Sequence, residues 1–150
     1  MTERVLTRYT GKGAATVTAN VTIRASAAIT TDGEYTDEVP VAGFERLTLT
    51  IDYAKNSETT WRLYMLHSKD EGATWHWMLN VGAADSGGAS AVVKAYDKFT
   101  PSDFAASDHV SIDIDVKAKQ RVKFFVQAVG SGPFGLVGIG AQAGVSPVAI

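Results

Sequence analysis

The feature that most limits what this chain can become is an alternation of apolar and polar residues with a period of two, repeated in segment after segment. Leu47, Leu49, Ile51 and Tyr53 interleave with Thr48, Thr50 and Asp52, and Val110, Ile112, Ile114 and Val116 interleave with Ser111, Asp113 and Asp115. Side chains of an extended strand point alternately to the two faces of a sheet, so this pattern buries one face and leaves the other in water. Residues 15–25 alternate as well, and residues 121–128 set Val122, Phe124 and Val126 on one face. Residues 61–67 are more mixed, and 89–96 and 134–142 are weaker strand candidates. Gly135, Gly138 and Gly140 weaken the last of these and mark bulges or close backbone contact.

Turn chemistry separates the strands. Asp32-Gly33, the stretch 85–88 and the stretch 130–133 are Gly-, Ser-, Asp- or Pro-rich breakers. Helical periodicity is absent, apart from Thr100, Pro101 and Asp103, which offer an N-cap, a proline at the first helical position and an early acid. At most one short helix is expected there. About seven to nine short strands divided by turns point to an all-β fold, a β-sandwich or a jelly-roll-like barrel.

At 150 residues the chain has the length of one domain, long enough to hold a core without staples. Residues 1–15 and 145–150 are expected as extended arms. The apolar stretch 145–150 docks either on its own domain or on a neighbour. There are no cysteines, which removes disulfides, thiolate metal sites and cysteine nucleophiles together. The net charge is −2, with Lys and Arg scattered among acids rather than gathered into a patch, so no nucleic acid is expected as a partner. The opening residues carry no apolar signal core, and no apolar run is long enough to span a bilayer. Synthesis and folding in a cytoplasm, with no membrane partner, are therefore expected.

One motif is sharp. Ser68, Asp70, Gly72, Thr74 and Trp75 fit the pattern Ser-x-Asp-x-Gly-x-Thr-Trp. Asp70 is placed to accept bonds from backbone N–H groups of its own turn, and Gly72 supplies a positive φ. Ser68 and Thr74 tie the strands at the mouth of the turn, and Trp75 gives the hairpin a large apolar anchor. The motif resembles the Asp-box, a β-hairpin element of sialidases and of many unrelated β proteins. It predicts a hairpin joining strands near 61–68 and 74–79. In sialidases the box recurs across a much larger propeller, away from the chemistry. A single copy here, without that family's arginine cluster or tyrosine–glutamate pair, implies a structural element.

Other groups leave alternatives open. Trp61, Tyr64 and Trp77, with Trp75, form either a platform for a sugar ring or part of the core. The alternation sends Trp75 and Trp77 to one face together with Leu79, which in a sandwich is usually the buried one. His67 and His76 flank the hairpin and His109 opens another strand, too few and too scattered for a zinc site, so no metal is expected. Asp113 and Asp115 are either a carboxylate pair for acid–base or calcium chemistry, or part of a solvated outer face. No phosphate loop, nucleophile elbow or other catalytic constellation stands out, so neither enzymatic activity nor a cofactor is expected.

The order of features over residues 44–144 resembles that of small β-sandwich virion proteins of tailed bacteriophages, which decorate capsids or serve as minor head or tail components. A strand at 44–53 precedes one ending in the Ser68–Trp75 motif. A Gly/Ser loop, a long alternating strand and the segment Val126-Gln127-Ala128-Val129-Gly130 follow, before a last strand. The resemblance implies a non-enzymatic capsid decoration protein in the virion. Its copies form a homo-oligomer, with a trimer favoured, and bind the major capsid protein or another virion protein. The competing expectation is a carbohydrate-binding module or receptor-binding lectin-like domain using the Trp-rich hairpin. A small hydrolase built on Asp113 or Asp115 is the third.

Overall fold

The alternating segments become strands because β-branched and aromatic residues fit a pleated, half-buried surface. A computed structural model describes residues 8–10, 16–78 and 107–145. Within these residues there are eleven strands in two antiparallel sheets and no helix. In chain order they are β1 (Arg8–Thr10), β2 (Thr16–Thr18), β3 (Val21–Ala28), β4 (Glu34–Tyr35), β5 (Val39–Pro40), β6 (Arg46–Ala54), β7 (Thr60–Ser68), β8 (His76–Trp77), β9 (Asp108–Asp115), β10 (Arg121–Val129) and β11 (Leu136–Val145). Sheet 1 runs β1-β2-β11-β6-β9, with β3 also on β11. Sheet 2 runs β4-β10-β7-β8, with β5 also on β10.

The architecture is the all-β sandwich that the alternation predicts. The strand number exceeds the expected seven to nine because β1, β2, β4, β5 and β8 are only two or three residues long, too short to show a period. The expected strand at 15–25 divides at Ala19-Asn20 into β2 and β3, both of which pair with β11. The register between β3 and β11 shifts on either side of Ile139, so the glycine-rich last strand is bulged. The weak strand at 89–96 and the short helix near 100–103 lie outside the described residues.

The core lies between the sheets. Leu47, Leu49 and Ile51 of β6, Ile112 and Ile114 of β9, and Val137, Ile139 and Ala141 of β11 face Trp61, Leu63 and Met65 of β7 and Val122, Phe124 and Val126 of β10. The outer face of β6 and β9 is wet, as alternation requires: Thr50, Asp52, Ser111, Asp113 and Asp115 are all exposed. Buried charges pin the ends of the sandwich. Arg24 donates from Nε to the Val137 carbonyl at 3.0 Å and from a terminal nitrogen to the Ala28 carbonyl, holding the β3–β11 bulge. Glu58, between β6 and β7, accepts from the Tyr53 hydroxyl at 2.6 Å and from the Gly135 amide at 2.8 Å. It thereby ties the β6–β7 turn to the start of β11. Only glycine fits at 135, because a Cβ there would stand 2.2 Å from the Ala54 carbonyl oxygen and 2.5 Å from the Glu58 carboxylate.

Candidate functional site

The hairpin at residues 68–77 positions the site. Ser68 Oγ bonds Asp70 Oδ1 at 2.7 Å and accepts from the Gly72 amide at 2.8 Å, and Asp70 Oδ1 accepts from the Thr74 amide at 2.8 Å. Glu71 and Gly72 take positive φ values of 58° and 91°. A glycine carries the second without strain, while Glu71 is steadied by its amide bond to the Gln120 side chain at 2.6 Å. Three hydrogen bonds thus join one carboxylate, one hydroxyl and two amides, and the chain turns back to pair His76 with His67 and Trp77 with Leu66.

The bonds from Ser68 and Thr74 hold the Asp70 carboxyl down to about 2. A depressed carboxyl stabilises the turn at every pH above its ordinary value of 3.8 and loses that contribution only as pH falls through about 2. The Gly72 and Thr74 amide resonances are therefore expected to stay fixed from pH 7 to pH 3 and to move with a midpoint near pH 2. In Asp70→Ala the acid-induced movement vanishes, and the two amides shift toward random-coil positions already at pH 7.

The hairpin sets Trp75 and Trp77 on the outer face of sheet 2, not in the core. Parity explains this: Trp77 pairs with Leu66, and even-numbered residues of β7 face outward while Trp61, Leu63 and Met65 face the core. Trp61 is wholly buried, 5.8 Å between ring centroids from Tyr53, and takes no part in any surface platform. The grouping of Trp61 with Tyr64 is thus corrected, since two residues three apart in a strand point to opposite faces. Tyr64 and Trp77 do meet, with ring centroids 6.0 Å apart and planes at 88°.

Two further rings complete the cluster. Phe125 of β10 lies opposite Tyr64 in register, and Tyr35 of β4 lies opposite Phe125. The Phe125 ring is 5.5 Å from Trp77 at 82° and 5.0 Å from Tyr35. Trp77 keeps 39% of its surface in solvent and Tyr35 keeps 44%. Lys123, on the same face, is only 8% exposed because its ammonium lies between the rings of Tyr35, at 4.2 Å, and Trp75, at 4.4 Å. Burial pushes its pKa down, opposed by the nearby Glu38 carboxylate. Tyr64, Trp77, Phe125 and Gln127 line an open depression of about 250 Å³.

Phe125, Tyr35, Lys123 and Gln127 escape the sequence reading. Adjacent Phe124 and Phe125 in one strand were the available signal, because neighbours on a strand face opposite ways and two phenylalanines there mean an apolar residue on each face.

The other candidates are placed apart. His67 and His76 are cross-strand neighbours with ring centroids 5.7 Å apart, and burial together with the charges of Lys119, His76 and Lys69 lowers the His67 pKa. His109 sits on sheet 1, its Nδ1 2.5 Å from Asp52 Oδ1, and that bond raises its pKa. Both side chains of this pair stand in solvent, where neither is desolvated for proton transfer. Asp113 accepts from Thr48 at 2.6 Å and Asp115 from the Lys117 amide at 2.9 Å, both on the wet outer face. Among the described residues no three His, Cys, Asp or Glu side chains are grouped to hold a metal ion.

No family model, curated protein or solved structure matches this chain.

Proposed function

We propose that this chain is a non-enzymatic structural protein of a tailed-phage virion, a capsid decoration protein that binds the head lattice. It acts in repeated copies, with a trimer the favoured assembly, on the major capsid protein or another virion protein, after folding in the host cytoplasm. The observation that supports this reading is the β1–β2 ribbon. Among the described strands β1 pairs with β2 alone, and two of the three residues of β2 pair with β11, Gly144↔Val17 and Val145↔Thr16. Its foot is secured, since Thr18 Oγ1 accepts from the Ala143 amide at 2.9 Å and the Thr18 carbonyl accepts from Gln142 Nε2 at 2.8 Å. All three residues of β2 are thus tied to β11, and among the described strands β1 is the outer edge of sheet 1, where another chain can add a strand. Such an edge offers a neighbouring copy or a shell a place to pair, and Val17 presents an exposed apolar side chain beside it.

The test is co-sedimentation of the purified chain with phage heads stripped of it, alongside light scattering for the oligomer. Saturable binding by a trimer is expected, weakened at least tenfold by Val17→Asp with no fall in Tm. A stable monomer without affinity for heads overturns the reading.

A further inference from the structure

The geometry points to a sugar-binding site on the outer face of sheet 2, taking one pyranose ring of a neutral glycan in the depression formed by Tyr64, Trp77, Phe125 and Gln127. The walls of this depression have the required shape. Trp77 meets Tyr64 at 88° and Phe125 at 82°, so the rings form a corner rather than a flat apolar plane. The face of an aromatic ring is electron-rich, and the C–H groups on one side of a pyranose are its complement, while the sugar's hydroxyls need polar partners at the edge. Gln127 lies in the depression, its amide oriented by the bond from Nε2 to the Thr31 carbonyl at 3.0 Å. Exposed Arg62, opposite Gln127 in register, adds a second donor on the same face.

Size separates a sugar from the alternatives. The depression of about 250 Å³ falls below the roughly 300–1,000 Å³ of pockets that enclose drug-sized ligands, which suits one ring held at an open surface. A stable protein–protein interface needs roughly 800 Å² from each partner. Here the apolar corner is bounded by Arg62 and by Lys123, whose ammonium already occupies the rings of Tyr35 and Trp75. The lining itself carries no charged side chain and the Lys123 ammonium beside it is engaged within the protein, which suits a neutral ligand. The site faces away from sheet 1 and from the β1–β2 ribbon that sheet 1 carries, so both can be occupied in the same molecule.

The test is a titration of the full chain with chitohexaose, cellohexaose and mannohexaose, followed by NMR at the Trp77 indole N–H and the Gln127 side-chain amide. At least one of the three is expected to bind, with both resonances moving together. Trp77→Ala and, independently, Gln127→Ala are each expected to weaken Kd roughly tenfold, the loss of one ring or one polar contact. Lys69→Ala on the hairpin tip leaves Kd unchanged. Absence of binding by all three sugars at millimolar concentration overturns the inference, as does binding that survives both substitutions. Neither result bears on attachment to heads, which Val17→Asp probes separately.

Discussion

Glu58→Ala is expected to lower the unfolding free energy by about 3–5 kcal/mol, because it orphans two buried donors at once and each costs about 1–3 kcal/mol. The Tyr53 hydroxyl and the Gly135 amide both aim at this carboxylate, which is only 1% exposed, and the Asn56 amide reaches it at 3.2 Å. Lys55 Nζ donates to the Glu58 backbone carbonyl, so the turn is held from both sides. Burial pushes the Glu58 carboxyl up, but the bonds from Tyr53, Gly135 and Asn56 outweigh it and leave the pKa below its ordinary 4.5. The same arrangement pushes the Tyr53 hydroxyl up, through burial and the neighbouring carboxylate. A carboxyl depressed in the folded state contributes its full stability above about pH 4.5 and loses it as pH falls through the folded-state value. Urea unfolding at pH 7 and pH 3 checks this. Glu58→Gln, which keeps one acceptor oxygen and cannot titrate, is expected to lie well below the natural chain at pH 7, and the gap narrows at pH 3.

Trp61→Ala is expected to cost about 3–5 kcal/mol, the range for emptying a large aromatic site in a core that relaxes only in part. Trp61 is 0% exposed and lies between sheets among Tyr53, Leu63 and their partners. Trp77→Ala, on the outer face sixteen residues along, is expected to cost only about 1 kcal/mol, because its ring is already partly in water. Chemical denaturation of the two variants side by side separates a core tryptophan from a surface one, and equal losses would contradict the parity of β7.

Much of the fold was legible because its causes are local. Alternation at 47–53 and 110–116 reports two faces of a strand, and β6 and β9 follow it residue by residue. The Ser68–Trp75 turn closes on bonds between residues at most four apart, so a short pattern suffices to specify it. The short strands β4 and β5 carry no period, since they exist only as partners of β10. The buried charges are equally invisible locally. Glu58 meets Gly135 across 77 positions and Arg24 meets Val137 across 113. A lone acid or arginine in a sequence reads as surface until the group that satisfies it is in place.

The hairpin on which the sequence reading turned is where the two levels part. Residue order alone established that a tight turn ends at Trp75 and that Trp75 and Trp77 share a face, because backbone stereochemistry and nearest-neighbour hydrogen bonds set both. It left open whether that face was core or surface. Alternation distinguishes two sides of a strand without saying which one another sheet will cover. Packing settled it: sheet 1 lies against the Trp61 side of β7, and among the described residues no second sheet covers the other side, where Tyr64 is buried under neighbouring rings while Trp77 and Tyr35 reach solvent.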